Sequence, residues 1–287
     1  MVDVRQLRLT AHGIASSVEG DLIGPDRSVL NVQIDSRECG NSSLFVPLKG
    51  ERTDGHLFIE AAVQAGSSLS FVSRRYYAEH QPLFAGLAEN FDVSFLVVDD
   101  PLSALQALAA DHLRQMKNLS VIGITGSYGK TTTKEMLGAM LSEHTSTAVS
   151  PGNLNSEIGL PLSALRIRET DRCALFEMAI NNRGEMDVLV DIARPQYAAI
   201  TNIGMAHIGL LGSKDRIAEE KRKIFNHVEA DGWGFIAEDE PYRDYLAQAC
   251  RGSVEYFGVN TTPGFEEARD LGLDGTKVKT ERSHIVI

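Results

Sequence analysis

A short run of glycines and a lysine lies between an apolar stretch, residues 121–125, and a stretch with helical spacing. Glycines let a backbone curl so that its N–H groups face an anion, and the N-terminus of a following helix adds about half a positive charge. This arrangement predicts a phosphate-binding loop. The residues expected to contact a nucleotide are Gly126, Ser127, Gly129, Lys130, Thr131 and Thr132.

Within this loop, Lys130 is placed to reach the β- and γ-phosphates, and the Thr131 hydroxyl is placed to bind Mg²⁺. The strict pattern Gly-x4-Gly-Lys-Ser/Thr requires glycine at position 124, where this chain has Ile124. A glycine-rich turn followed by a surface lysine is the alternative interpretation. The loop alone indicates binding of a nucleoside triphosphate, which kinases, GTPases and ligases all share.

The elements that must position the loop alternate between strand and helix. Predicted strands cover residues 121–125, 173–178, 197–201 and 234–237, and predicted helices cover residues 102–113, 130–142, 185–193 and 214–228. Such alternation predicts an α/β fold with a mainly parallel sheet flanked by helices. Ligands of such sheets bind at the carboxyl ends of the strands, so we expect the chemistry there.

The first 98 residues show a different pattern. Strand-like runs cover residues 28–35, 43–48, 68–72 and 95–98, and one helix-like run covers residues 57–65. Short strands with a helix between them predict a small α/β domain. We therefore expect two domains, residues 1–98 and residues 99–287.

Composition excludes several classes of protein. The chain has 287 residues, 43% of them hydrophobic, which suffices for a sizeable core. A formal net charge of -11 argues against a general nucleic-acid-binding protein, because phosphate backbones require a basic surface. No apolar run is long enough to cross a membrane and the N-terminal segment is charged, so we expect a cytoplasmic protein without membrane insertion. Three widely spaced cysteines predict neither disulfides nor a zinc site.

Five segments resemble, in the same order, motifs of the Mur ligase family. They are DSR (35–37) with LFVPLKGERTDGHLFI (44–59), GITGSYGKTTTKEML (123–137), GNLNSEIGLP (152–161), EM (177–178) with GE (184–185), and TNIGMAH (201–207) followed by Lys221. The family shares the unusual glycine placement of the loop. The GNLN segment and the pair Lys134 and Glu135 resemble the branch that adds D-alanyl-D-alanine. The resemblance covers nearly the whole chain.

The resemblance implies an ATP-dependent ligase of peptidoglycan precursor synthesis, with a UDP-substrate domain before a P-loop ATPase domain. In the implied reaction ATP phosphorylates the terminal carboxylate of UDP-N-acetylmuramoyl-tripeptide, and the amine of D-alanyl-D-alanine then displaces phosphate. Because several negative charges meet there, such chemistry requires magnesium, lysine and a helix N-terminus. The implied catalytic residues are Lys130, His207 and Lys221, and the expected protein is a monomer.

The resemblance also implies two Mg²⁺ sites. Thr131 and Glu177 would hold the ion that bridges the β- and γ-phosphates, and His207 and Lys221 would serve the second. Lysine is a plausible ligand only if CO₂ carbamylates it, as happens at the matching position in the family, and Lys221 is the expected site. The alternatives are a solvated lysine in a charged run and a hydrogen-bonded histidine beside a strand end.

Further residues are implied to bind the substrates. Asp35, Ser36, Arg37 and Lys49 resemble the family's contacts with uridine diphosphate, and arginine suits a pyrophosphate because its fork donates two hydrogen bonds. Asn153 and Asn155 fit substrate or phosphate contacts, and Asn202 would contact adenine. A capped turn at residues 35–37 and turn chemistry at residues 153–155 are the alternative interpretations.

Some features depart from the family's pattern. Tyr128 replaces a frequent asparagine, Ala179 a frequent glycine and Lys223 a frequent glutamate, so the second metal site is expected to differ electrostatically. Family members carry a third, C-terminal domain that binds the incoming amino acid or dipeptide, and this chain ends before it. We therefore expect substrate binding without turnover unless the missing part is supplied.

Three rival interpretations stay open at this point. Another member of the family could add a diamino acid or glutamate, and a degenerate relative could bind nucleotide without catalysis. Retention of the loop residues together with Glu177, His207 and Lys221 argues against degeneration. A P-loop kinase would leave the residues at 35–37 and the GNLN segment unexplained.

Overall fold

The computed structural model describes residues 9–206, 208–262, 264–271, 276–280 and 284–286. The chain divides into two compact units. Unit 1 comprises residues up to Leu119 together with Asn153–Arg172, and unit 2 comprises Ser120–Gly152 together with Cys173–Ile287. The sequence suggested a boundary after residue 98, but the helix that begins at Pro101 belongs to unit 1, because it packs against two other helices of that unit.

The elements of both units are given in chain order. The strands are β1 (Leu9–Thr10), β2 (Asp21–Ile23), β3 (Ser28–Val29), β4 (Asn31–Gln33), β5 (Ser43–Phe45), β6 (Ser67–Ser73), β7 (Ser94–Val98), β8 (Ser120–Thr125), β9 (Thr147–Val149), β10 (Cys173–Glu177), β11 (Tyr197–Ile200), β12 (Trp233–Ala237), β13 (Ser253–Phe257), β14 (Phe265–Asp270), β15 (Thr276–Thr280) and β16 (His284–Val286). The α-helices are α1 (Ala11–Val18), α2 (Ile59–Gln64), α3 (Arg74–Glu79), α4 (Gln81–Asn90), α5 (Pro101–Gln115), α6 (Lys130–Ser142), α7 (Gly159–Ala164), α8 (Glu185–Ala193), α9 (Ile208–Leu211), α10 (Lys214–Lys221) and α11 (Arg243–Ala247). Short 3₁₀ helices cover Ser36–Glu38, Gly55–Phe58 and Arg222–Phe225.

Unit 1 is built on a five-stranded sheet in the order β2-β7-β6-β5-β4. Only the β2–β7 pairing is antiparallel. The apolar run of β7 is buried on both faces, as expected for a central strand. Phe84 of α4 packs edge-on against Phe95 of β7 with ring centroids 4.9 Å apart, which closes the core of this unit.

Unit 2 is built on a six-stranded, entirely parallel sheet in the order β13-β12-β11-β8-β10-β9. A second sheet of three antiparallel strands contains β14, β15 and β16. In the parallel sheet β8 lies between β10 and β11, and Ile124 pairs with Glu177 on one side and with Ala199 on the other. The carboxyl ends of these three strands therefore meet at one edge of the sheet.

The predicted fold class, a mainly parallel α/β sheet flanked by helices, is confirmed. The bounds of α6 and α8 agree with the predicted helices. Each helix starts directly after a glycine with positive φ, Gly129 or Gly184, and such a glycine marks the start of the helix in the sequence. The helix predicted over residues 214–228 is wrong in its second half. There α10 ends at Lys221 and the chain continues as a 3₁₀ helix, in which the adjacent apolar residues Ile224 and Phe225 are buried in the core.

Candidate functional site

The phosphate loop connects β8 to α6 and takes its shape from two glycines. Gly126 has φ +155 and Gly129 has φ +77, which are conformations that favour glycine. A Cβ atom on Gly126 would lie 1.9 Å from Thr201 Oγ1, so no side chain fits there. Since α6 begins at Lys130 without a side-chain cap, the backbone N–H groups of its first turn and its positive dipole end face the loop. This geometry forms a cradle for an anion.

A hydroxyl and a carboxylate lie side by side next to the loop. The Thr131 hydroxyl donates a hydrogen bond of 2.8 Å to Glu177 Oε2. Glu177 is the last residue of β10, and its backbone N–H donates to Ser150 Oγ at 3.2 Å. Its side chain is buried. Both groups offer hard oxygen donors, so the donor set fits Mg²⁺.

Two lysines converge on one carbonyl oxygen of the loop. Lys130 Nζ and Lys221 Nζ each donate to Gly126 O at 3.0 Å. Lys221 is 1% exposed, at the C-terminal end of α10. Burial, followed by the positive charge of Lys130, lowers the pKa of the Lys221 amine from 10.5 to about 7. Lys221 is therefore not the solvated lysine of the alternative interpretation.

The neighbours of Lys221 fix the position of its helix. Glu220 is buried and accepts hydrogen bonds from the backbone N–H groups of Gly184, at 2.8 Å, and Met186, at 3.2 Å. Lys223, which stands where the family often has glutamate, donates to Glu220 at 2.7 Å and to Asp187 at 2.6 Å. Two carboxylates thus balance its charge. His207, the second predicted member of this site, lies outside the described residues.

Asn202 contacts the phosphate loop directly. Its Oδ1 accepts a hydrogen bond from the Tyr128 N–H at 3.0 Å, and its Nδ2 donates to Tyr128 O at 3.0 Å. Ser127, which is buried, donates from its backbone N–H to Asn202 O, also at 3.0 Å. Thr132 lies exposed in the first turn of α6. The structure thus brings the predicted loop residues together with Glu177, Asn202 and Lys221 in unit 2.

Lys134 is a residue of this region to which the sequence assigned no role. It is completely buried and donates to Ser150 O at 2.7 Å and to Gly152 O at 3.3 Å. Its Nζ also lies 4.0 Å from Glu177 Oε2. Its spacing in the sequence could have indicated a role at the site, because a residue four positions after Lys130 faces the same side of α6. Lys134 therefore ties α6 to the segment after β9 and places a positive charge beside Glu177.

The predicted substrate residues belong to unit 1. Asp35 caps the 3₁₀ helix Ser36–Glu38, and its carboxylate forms a two-pronged ion pair with Arg37, at 2.9 and 2.5 Å. The hydrogen bonds from Arg37 lower the pKa of the Asp35 carboxyl to about 2. The Arg37 side chain is 87% exposed, so its guanidinium can reach a ligand. The segment is therefore a capped turn, as in the alternative interpretation, and it also presents an exposed arginine that can bind a ligand.

Unit 1 also contains a cleft of about 610 Å³ at the carboxyl edge of its sheet. Lys49, Asp54, His56 and Tyr76 contribute to its lining. The buried His56 lies between an acceptor and a donor, since Nδ1 is 2.6 Å from Asp54 Oδ1 and Nε2 accepts the Ser73 N–H at 3.0 Å. This pairing fixes the neutral tautomer with the proton on Nδ1.

Two further predicted residues, Asn153 and Asn155, do not line this cleft, although residues close to them in sequence do. Asn153 and Asn155 belong to the segment that returns to unit 1, where the Asn155 N–H donates to Asn153 O at 2.8 Å. From the same segment, Glu157 and Ile158 do line the cleft. Among the described residues no helix is both long and apolar enough to cross a membrane.

A strand, a glycine-shaped loop and a helix N-terminus at the carboxyl edge of a parallel sheet define a P-loop nucleotide-binding protein. The chain belongs to the Mur ligase family. Residues 124–285 match the Mur ligase middle domain, and residues 28–113 match the Mur ligase family, catalytic domain. The resemblance read from the motifs is therefore confirmed.

Relatives with known names agree with this assignment. The UDP-N-acetylmuramoyl-tripeptide--D-alanyl-D-alanine ligase of Bacillus subtilis is 41% identical over 98% of this chain, which spans 58% of that relative. MurF from Acinetobacter baumannii has a TM-score of 0.86 at 29% identity, covering 99% of this chain and 61% of its own. MurF ligase from Thermotoga maritima in complex with ADP has a TM-score of 0.73 at 28% identity. The match covers 90% of this chain and 57% of the Thermotoga chain. The chain thus spans about three fifths of these relatives.

Removal of the buried Lys134 ammonium should destabilise unit 2. We expect Lys134→Met to lower the free energy of unfolding by about 3 kcal/mol, because two carbonyls lose a charged donor and Glu177 loses a nearby cation. Urea denaturation of the purified chain measures this. Lys214→Met, at the exposed start of α10 in the same unit, serves as the control and should change stability by less than about 0.5 kcal/mol. Equal stability of the two variants would contradict the role given to Lys134.

Proposed function

We propose that this chain supplies the UDP-substrate and ATP sites of a ligase that joins UDP-N-acetylmuramoyl-tripeptide to D-alanyl-D-alanine in peptidoglycan precursor synthesis. The observation that carries the proposal is the pairing of Thr131 Oγ1 with Glu177 Oε2 beside the phosphate loop. The Bacillus subtilis relative, whose name states this reaction, supports the choice of substrates. The relative crystallised with ADP supports the choice of nucleotide.

In this proposal the chain's own groups bind ATP and stabilise the transferred phosphoryl group. The first-turn amides of α6 and the Lys130 ammonium hold the phosphates. Thr131 and Glu177 provide oxygen ligands for Mg²⁺, which neutralises phosphate charge when bound. The tripeptide carboxylate attacks the γ-phosphorus and ADP leaves. The D-alanyl-D-alanine amine then forms the amide bond and displaces phosphate.

Lys221 is proposed to carry a carbamate that serves a second Mg²⁺, together with His207. The buried amine reaches its neutral form easily because its pKa is lowered to about 7. The neutral amine adds to the carbon of CO₂ and loses one proton, which gives an anionic carbamate. This change removes one of the two positive charges at Gly126 O and adds oxygen ligands of the type that Mg²⁺ prefers.

In unit 1, Arg37 and Ser36 are proposed to bind the uridine diphosphate, together with Lys49, which lines the cleft of the same unit. The exposed guanidinium already holds a planar, two-pronged geometry toward Asp35, which a diphosphate can take over. Asn153 and Asn155 are proposed as further substrate contacts. A monomeric state and a cytoplasmic location accompany this proposal.

Calorimetric titration tests the two sites separately. We expect Arg37→Ala to weaken binding of UDP-N-acetylmuramoyl-tripeptide at least about tenfold, because a charge-assisted contact is lost, while binding of Mg-ATP is kept. Lys130→Ala should show the opposite pattern. Arg114→Ala, on the exposed face of α5, is the control and should bind both ligands as the wild type does.

Two outcomes of this titration would count against the proposal. Failure of the wild-type chain to bind the UDP-linked tripeptide, with ATP binding intact, would favour a member of the family with another substrate or a non-catalytic relative. If Arg37→Ala and Arg114→Ala lost the same affinity for the UDP-linked tripeptide, Arg37 would not be a contact of that substrate.

The carbamate is tested by ¹³C NMR of the chain in ¹³C-bicarbonate buffer. We expect a carbamate resonance in the wild type that disappears in Lys221→Gln. Only an amine that is buried, readily neutral and beside the anion-binding loop should keep a carbamate. Lys214→Gln, at the exposed start of the same helix, should keep the resonance. A wild type without the resonance, or its persistence in Lys221→Gln, would refute the assignment.

A further inference from the structure

The segment that follows β11 holds the first half of the phosphate loop. Thr201, Asn202 and Gly204, here called the loop clamp, make five hydrogen bonds to Ser127 and Tyr128. Thr201 Oγ1 donates to Tyr128 O at 2.6 Å, Gly204 N–H donates to Ser127 Oγ at 2.7 Å, and Asn202 makes the other three at 3.0 Å. All of these bonds lie within unit 2.

Both ends of the Asn202 side-chain amide are engaged by this arrangement. Its carbonyl oxygen accepts from the Tyr128 N–H and its amide nitrogen donates to Tyr128 O, so the side chain pairs with the N–H and the C=O of one residue, as a neighbouring strand would. The amide nitrogen also lies 3.4 Å from Thr201 Oγ1, to which it donates its second hydrogen. An amide offers two donor hydrogens and one acceptor oxygen. Recognition of adenine by both a donor and an acceptor of Asn202 would therefore require the amide hydrogens that the loop and Thr201 already occupy.

Close packing reinforces the clamp. A Cβ on Gly126 would meet Thr201 Oγ1 at 1.9 Å, and a Cβ on Gly204 would meet the Tyr128 ring at 2.5 Å. The loop and the clamp therefore touch without space for a side chain at either glycine. Such contact holds Gly126 at its positive φ, a conformation that a free loop would leave often.

A buried carboxylate extends the clamp to the next strand of the sheet. Glu240, which follows β12 and is buried, accepts from the Ile203 N–H at 2.7 Å and from the Tyr242 N–H at 3.1 Å. Ile203 lies between the two halves of the clamp. The position of the loop is thus fixed by the ends of three adjacent strands, β8, β11 and β12.

We propose that Asn202 and Thr201 are positioning residues for the phosphate loop and that Asn202 does not read the base. The inference rests on the proposed binding of ATP at this loop. Its physical content is preorganisation: the clamp fixes the loop before a nucleotide arrives, so less conformational entropy is lost on binding. The second half of the loop and the start of α6 remain available to phosphate.

Two ligands separate this role from adenine recognition. Inorganic tripolyphosphate has the phosphates of ATP without the base, so calorimetry with Mg-tripolyphosphate and Mg-ATP reports the two parts of the site. We expect Asn202→Ala to weaken both ligands by the same factor, on the order of tenfold for two lost hydrogen bonds. The ratio of the two Kd values should equal that of the wild type. Loss of ATP affinity with unchanged tripolyphosphate affinity would overturn the proposal in favour of base recognition.

Thr201 provides a second pair of variants in case Asn202→Ala does not fold. Thr201→Val removes the donor to Tyr128 O and keeps the shape, whereas Thr201→Ser keeps the hydroxyl. We expect Thr201→Val to weaken tripolyphosphate binding and Thr201→Ser to bind it as the wild type does. Equal binding by the valine and serine variants would count against the clamp.

Amide hydrogen exchange distinguishes positioning from general destabilisation. The Ser127 and Tyr128 amides should exchange faster in Thr201→Val and Asn202→Ala than in the wild type, while the amides of β8 keep their protection. Uniformly faster exchange throughout unit 2 would overturn the proposal. If the wild type binds neither ligand, or if Lys130→Ala leaves both affinities unchanged, the proposed nucleotide site itself fails, which is a different result from either outcome above.

Discussion

Parallel pairing of β8 with both β10 and β11 is the constraint on which the nucleotide site depends. This register sets Glu177 beside Ile124 and brings Thr201 to Thr125, where the Thr201 N–H donates to Thr125 O at 2.9 Å. A shift of one residue in β10 would turn the Glu177 carboxylate to the other face of the sheet. The hydrogen bonds of the sheet thus position the proposed magnesium ligand and the segment that holds the phosphate loop.

Charge at the loop is balanced within a small volume. Gly126 O accepts from two lysines, and burial makes the charged form of Lys221 costly. Two buried carboxylates belong to this region, Glu177 at the loop and Glu220 next to Lys221 in sequence, and Glu220 is already engaged by backbone amides and Lys223. The proposed phosphates, Mg²⁺ and carbamate would complete this balance, which fits phosphoryl transfer between acidic substrates.

The sequence predicted the loop, α6 and the fold class because glycine placement and apolar periodicity are local signals. It did not reveal the burial of Lys134, since lysine is usually exposed and its carbonyl partners lie more than ten residues away. It gave Asn202 a role toward adenine, whereas the structure places both ends of its amide on Tyr128. Such contacts depend on strand order, which one sequence does not display.

The central claim is that Thr131 and Glu177, brought together by the sheet, bind the magnesium of a Mg-nucleotide complex. The most direct test is calorimetric titration of ATP into wild type and Thr131→Val, each with and without Mg²⁺. We predict that Mg²⁺ strengthens ATP binding to the wild type and has little effect on Thr131→Val, while Thr131→Ser retains the full effect. An equal gain from Mg²⁺ in the wild type and Thr131→Val would contradict the account, because the ion would then bind without the hydroxyl that the structure sets beside Glu177.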